Sequence, residues 1–124
     1  MDEKMLNKYS DIENCPIRNV LNHIGNKWSM LVLSILDEEG LLRFNEIHKA
    51  IGSISQKMLS TTLKRLESDG LVKRKVHPVI PPRVEYELTK RGKSLIPHIK
   101  NLVGWAVENF NDIKDSRLKF ERLS

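Results

Sequence analysis

A single cysteine, Cys15, leaves the chain without the means for an internal disulfide, which fits a reducing compartment and makes this thiol a residue needing its own account. No uninterrupted apolar run approaches the roughly 18 residues of a membrane span, and the polar start MDEKMLNKYSD has neither the basic nor the apolar block of a signal peptide. The chain is expected in the cytoplasm, with no membrane partner. A Gly-rich phosphate loop is missing, and His23, His48, His77 and His98 show no HxxxH or similar metal-ligand spacing. Cys15 has no evident base or orienting carboxylate nearby in sequence. These absences speak against an enzyme, a metal site and a cofactor. What is present, 124 residues with 30% charged and 40% hydrophobic, is the composition of one ordinary globular domain.

Acid is scarce in only one block. Residues 1–70 carry nine basic and ten acidic side chains, residues 101–124 four of each, but residues 71–100 carry eight and two. Lys73, Arg74, Lys75, Arg83, Lys90, Arg91, Lys93 and Lys100 supply that excess. A basic block can be a solvated face, yet its concentration on one supersecondary unit is what a polyanion-binding surface requires.

Periodicity and stop signals divide the rest. Pro16 suits a first helical position, Ile17, Val20, Leu21 and Ile24 form a stripe, and Gly25 ends a first helix. Asn26 can cap KWSMLVLSILDEE, whose Trp28, Leu31, Val32, Ile35 and Leu36 recur at helical spacing up to Gly40, in what should be the most buried helix. After LLRF, Asn45 is expected to open a brief helix, EIHKAI, closed at Gly52. Ser55 then caps QKMLSTTLKRLESDG, with Ile54 and Leu59 placed as a hydrophobic staple.

Two helices joined by the tight link GSIS are the elements of a helix-turn-helix. In the second, Leu59, Leu63 and Leu66 form the buried stripe, leaving Gln56, Lys57, Ser60, Thr61 and Lys64 outward without an acid among them. Such side chains bond base edges and phosphates when a helix enters the major groove.

The segments LVKRKVH and RVEYEL alternate as hairpin strands. Val72 and Val76 should share one side, interrupted by Arg74, which can snorkel to solvent or reach a phosphate; Lys73 and Lys75 can pair across with Glu85 and Glu87, while Arg83 has no obvious acidic partner. Pro78, Pro81 and Pro82 between them cannot sit in a central strand, so they mark a stiffened projection, a wing. The wing, with Arg83 at its base and Lys73 or Lys75 nearby, would lie along the backbone or the adjacent minor groove.

Thr89 caps a long segment in which Leu95, Ile99, Leu102, Ala106 and Phe110, with Trp105 beside them, form an apolar stripe, and where Pro97 can introduce a kink. One small domain cannot absorb that surface, so pairing with a twin chain is expected, involving Ile17, Leu95, Ile99, Leu102, Trp105 and Ala106. The expected division is a polar lead over residues 1–14, the domain over residues 15–111, and an amphipathic tail over residues 112–124 that joins the interface or packs alone. The fold class is mainly α with a small β-hairpin: a winged helix-turn-helix that dimerises through its terminal helices.

CPI, GNKWSMLVL, RFNEI, ISQKMLSTTLKRLESDGLVKRKV, PPRVEYELT and RGKSLIP with the later Trp105, in this order and spacing, resemble the HxlR-type winged helix-turn-helix transcriptional regulators, relatives of the MarR group. The resemblance covers about Cys15 to Trp105. GNKW departs from the family's usual Gly-Gly before Lys-Trp, and Ser53 stands where glycine is common; both read as cap or turn substitutions. The resemblance implies a homodimeric regulator, usually a repressor, on palindromic double-stranded DNA. It assigns Ser55, Gln56, Lys57, Ser60, Thr61 and Lys64 to the reading helix and Pro82 and Arg83 to the wing. In some members a cysteine matching Cys15 senses quinones, aldehydes or oxidants, so a small electrophile or oxidant is an implied effector. A thiol at a helix N-terminus, with Arg18 near, has the electrostatics for that role; the alternative is a small residue packed at the dimer interface. A winged-helix module for protein contacts is the rival to DNA binding, since fold alone does not dictate function.

Overall fold

The computed structural model describes residues 8–123. A π-helical turn, Ile17–Leu21, runs into a short α-helical one, Asn22–Ile24, and the two together are α1. Then follow α2 (Lys27–Glu39), β1 (Leu42–Arg43), α3 (Phe44–Ile51), α4 (Gln56–Ser68), β2 (Val72–His77), β3 (Arg83–Leu88) and α5 (Lys90–Leu123). The expected mainly α fold with a small β-hairpin, a winged helix-turn-helix, holds, with one addition: the sheet has three antiparallel strands in the order β1-β3-β2. Leu42 lies opposite Tyr86 and Arg43 opposite Glu85, so the hairpin is tied to the start of α3.

The caps explain most of the boundaries. Asn26 Oδ1 accepts from the Ser29 N–H at 3.0 Å to open α2, and Ser55 Oγ accepts from the Met58 N–H at 3.0 Å to open α4. The helix expected to begin near Asn45 begins instead at Phe44. Its N-cap is Arg43, whose N–H donates to Glu46 Oε1 at 2.9 Å, because β1 delivers the chain extended directly into the helix. Gly40, Gly52 and Gly70 follow their helices at positive φ, the conformation that glycine enters without steric cost.

A shared core gathers Val32, Leu33 and Leu36 from α2, Ile47 from α3, Leu59, Leu63 and Leu66 from α4, Val72 and Leu88 from the hairpin, and Ile96 and Ile99 from α5. Ile54 and Leu59, the predicted staple, are both in it. In α2 the buried arc is turned relative to the expected one, since Leu33 is 0% exposed and Leu31 is 42%. The helix is enclosed from several directions, and a one-faced stripe misses Leu33. Val76, expected to share the inward side with Val72, is exposed because the hairpin tip projects beyond the core.

The hairpin and α5 meet at a tight junction. Thr89 donates through Oγ1 to the Gly70 carbonyl at 2.6 Å and through its N–H to the Leu71 carbonyl at 3.0 Å, and its Oγ1 accepts from the Gly92 N–H at 3.1 Å. A Cβ at Gly92 would collide with the Leu71 carbonyl oxygen, so only glycine permits this approach. Helix α5 runs unbroken through Pro97 and on to Leu123, so the same helix carries the segment expected as a tail. Residues 1–7 of the expected polar lead lie outside the described residues.

Leu33→Ala should lower unfolding stability by about 2–5 kcal/mol, whereas Leu31→Ala should cost well under half as much, measured as urea midpoints on the two variants. Equal losses would place the buried arc of α2 elsewhere.

Candidate nucleic-acid interface

The side chains singled out on α4 stay outside the core. Ser55, Gln56, Lys57 and Lys64 are exposed and Ser60 and Thr61 half-buried, while Leu59, Thr62, Leu63 and Leu66 are buried. Thr62 spends its hydroxyl locally, donating to the Met58 carbonyl at 2.8 Å. No acid occurs from Gln56 to Leu66, so the exposed side of α4 carries polar groups and the cations Lys57, Lys64 and Arg65, with Met58, 43% exposed, as its apolar member. Neither lysine forms an ion pair with another described residue.

The C-terminal end of α4 is held by other elements. Its C-cap, Asp69, accepts from His23 Nδ1 at 2.9 Å across from α1, and the Asp69 carbonyl accepts from Arg91 Nη1 at 2.9 Å out of α5. Helix α4 is thereby fixed at one end by its Ser55 cap and at the other by two neighbouring helices.

On the wing the expected cross-strand pairing is made by Lys75 and not by Lys73. Lys73 lies opposite Glu87 and Lys75 opposite Glu85, but the ion pair is diagonal, Lys75 Nζ to Glu87 Oε1 at 2.9 Å. Arg83, for which no acid was evident, has one two residues along its own strand: Arg83 Nε lies 3.3 Å from Glu85 Oε1, which also meets His77 Nε2 at 2.6 Å. Side chains at i and i+2 share a strand face, a spacing that could have identified the partner. Lys73 and Arg74 are exposed and enter no ion pair with a described residue, so they, rather than Lys75 and Arg83, are the unneutralised cations of the hairpin. Arg74 therefore reaches solvent. Pro78, Pro81 and Pro82 are exposed, and a groove of about 440 Å3 separates the wing loop from Arg43, Phe44 and Asn45.

Cys15 is 3% exposed and precedes α1; its N–H donates to the Asp11 carbonyl at 2.9 Å and its carbonyl accepts from the Asn19 N–H at 2.8 Å. Arg18, considered as a thiolate partner, donates instead to the carbonyls of Tyr9 and Ser10, at 3.4 and 3.0 Å. Of the residues expected at a dimer interface, Ile17, Leu102, Trp105 and Ala106 are exposed and Leu95 is half-buried, but Ile99 is 6% exposed within the chain's own core. Among the described residues no helix is long and apolar enough to cross a membrane, and no cluster of His, Cys, Asp and Glu could hold a metal.

A capped helix-turn-helix with a projecting three-stranded wing defines the winged helix-turn-helix class. Residues 23–114 match the family described as HxlR-like helix-turn-helix, and the chain belongs to that family of transcriptional regulators. A relative from Halalkalibacterium halodurans, named an HTH-type transcriptional regulator, is 44% identical over 105 residues, 85% of this chain and 93% of its own. YtfH of Escherichia coli, also named an HTH-type transcriptional regulator, is 40% identical over 82% of this chain and 79% of its own. Among solved structures, the regulator ytfH from Salmonella typhimurium superposes with a TM-score of 0.76 at 37% identity, covering 85% of this chain and 93% of that one. The redox regulator HypR in its reduced form gives 0.74 at 36% identity, over 81% and 98%. Diamide-treated YodB from B. subtilis gives 0.65 at 33%, over 87% and 94%.

The Lys75 hydrogen bond holds the Glu87 carboxyl below the ordinary carboxylate range. A depressed folded pKa stabilises the hairpin above that range and ceases to do so as pH falls through the folded value. Glu87→Gln should remove this acid-dependent component, which for a pair this exposed is no more than about 1 kcal/mol. Urea midpoints at neutral pH and about pH 3 should differ less in the variant than in the wild type; an identical difference in both would remove the Glu87 pair from the acid response.

Proposed function

We propose that the chain is a cytoplasmic homodimeric repressor that reads a palindromic operator with α4 in the major groove and the wing beside it. The observation that carries this reading is the outward face of α4, polar and basic without an acid, on a helix whose opposite face is wholly apolar or internally satisfied. A surface for protein contacts would place several apolar anchors there, whereas Met58 is the one large apolar side chain exposed on α4. Lys57 and Lys64 supply phosphate contacts, Gln56, Ser60 and Thr61 supply base-edge hydrogen bonds, and Ser55 fixes the N-terminus that enters the groove. Lys73 and Arg74 add unneutralised charge along the backbone. Lys75 and Arg83, together with Pro82, shape the wing, and their charges become available to phosphate only by leaving Glu87 and Glu85.

A second copy supplies the two-fold symmetry. Leu102, Trp105 and Phe110 are 55–57% exposed along α5, and Ile17, Val20 and Leu21 are exposed on α1, a quantity of apolar surface expected of an interface rather than of a monomer. Ile17, Leu95, Leu102, Trp105 and Ala106 belong to that interface.

For Cys15 we adopt the sensing role, supported by the similarity to HypR, named a redox regulator, and to YodB, studied with diamide. A thiol this buried reacts through local opening of the segment around α1. Diamide would draw two electrons from two thiols to form one disulfide, joining Cys15 to Cys15 of a second copy or to a small thiol.

Binding to duplexes selected from a random pool tests the DNA reading. Lys64→Ala should weaken binding to all duplexes and lower the salt slope by about one, while Gln56→Ala or Thr61→Ala should relax preference at single positions by about 1–3 kcal/mol. Uniform losses in all three would refute this division of roles, and binding indifferent to salt would refute phosphate contact altogether. Cys15→Ser should abolish any loss of DNA binding on diamide treatment; a retained response assigns sensing elsewhere.

A further inference from the structure

The wing ends in apolar side chains rather than in charge. Ile80 is 102% exposed, with no described residue shielding it, and Val79 and Val76 beside it are 50% and 54% exposed. Pro78, Pro81 and Pro82 flank them, all exposed. Scattered exposed apolar residues are ordinary on a protein surface. A fully presented isoleucine at the tip of a projection, between prolines that restrict its backbone, is a different matter: loop tips are normally Gly, Asn, Asp or Ser.

The placement limits what can cover it. Behind the tip the strand ends carry His77 and Arg83, and Arg43 stands across the groove at the start of α3. Pairing of β3 with both β1 and β2 holds the base of the loop against the rest of the domain. An apolar point with Arg43 behind it, and Arg83 beside it once released from Glu85, complements a surface that is apolar in a narrow cleft and anionic on both rims. The minor groove of duplex DNA has that form: about 6 Å wide, floored by base edges, walled by deoxyriboses and rimmed by phosphates. Aliphatic side chains inserted there wedge between base steps.

We propose that Ile80, supported by Val79, is an apolar wedge that enters the minor groove and contributes sequence preference at the wing's position. This rests on the DNA-binding reading above and adds a residue that charge alone would not select. Because A·T pairs lack the 2-amino group that fills the groove floor at G·C, the wedge favours A·T-containing steps. The prolines lower the ordering cost of insertion.

The test uses the full chain and the duplex it selects from a random pool, with hydroxyl-radical footprinting to locate the wing. Ile80→Ser should lose about 5- to 20-fold in affinity with an unchanged salt slope, since no phosphate contact is removed, and Ile80→Leu should restore most of it. Replacing adenine by 2,6-diaminopurine at the wing's position adds a minor-groove amino group without changing the major-groove edge. That duplex should bind wild type several-fold more weakly and Ile80→Ser with no further loss. Urea midpoints should match, since the side chain touches nothing in the fold. Unchanged affinity of Ile80→Ser would overturn the wedge and leave a protein partner as the occupant. A variant that loses self-association instead would assign the tip to a second copy, and one still sensitive to diaminopurine would show that another residue meets the groove floor. Wild type that binds no duplex would overturn the DNA reading itself, an outcome distinct from all of these.

Discussion

Leu59, Leu63 and Leu66 are 0–2% exposed, and their removal from water alongside Val32, Leu33, Leu36 and Ile47 fixes the rotation of α4 about its own axis. Each such side chain contributes about 1.5–3 kcal/mol on burial. A turn of one residue, about 100°, would bring Ser60 and Lys64 inward and leave leucines in solvent, a change that burial and desolvation both oppose. The polar face is thus set by what lies beneath it. The cap at Ser55 and the contacts of His23 and Arg91 at Asp69 then hold the helix along its length.

Electrostatics act differently on the two parts of the presented surface. On α4, Lys57 and Lys64 enter no ion pair with a described residue, so their charge stays available to a partner. On the hairpin, Glu85 and Glu87 take up Lys75, His77 and Arg83, which reduces the free charge and holds the two strands in register. Such exposed pairs stabilise little in themselves. Their larger effect is to keep the wing shaped before it meets a partner, with Lys73 and Arg74 left as its unneutralised cations.

The helices and their limits were legible because capping and periodicity are local. Asn26, Ser55 and the glycines at 40, 52 and 70 act within one turn of themselves, and the structure uses each as the sequence implies. Features that depend on distant neighbours were less so. β1 has only two residues, too few for an alternating pattern, and exists because β3 offers a free edge. The burial of Leu33 follows from elements enclosing α2 on several sides, which a single stripe does not encode. Ile99 fits an outward interface pattern along α5, yet the early turns of that helix face the domain core, so it is consumed there. In the candidate site, the outward residues of α4 could be read from spacing alone. The apolar wing tip could not, because exposure at a loop is invisible to periodicity.

The length of α5 carries the last step. Its 34 residues span roughly 50 Å at about 1.5 Å per residue, whereas a domain of about 100 residues has a radius of gyration near 13 Å. Only the first turns can reach the core, and the buried positions bear this out: Gly92, Ile96 and Ile99, with nothing buried beyond. The remainder, with Trp105, Phe110, Leu118 and Phe120 exposed, must extend past the domain. In the proposed dimer that extension is a rigid spacer. The two copies of α4 must present themselves one DNA turn apart, about 34 Å, to read both half-sites. The junction at Thr89 and Gly92, where no side chain fits between α5 and Leu71, makes the angle of that spacer a property of the domain itself. In the proposed dimer, the same contact that closes the core would therefore set the half-site geometry.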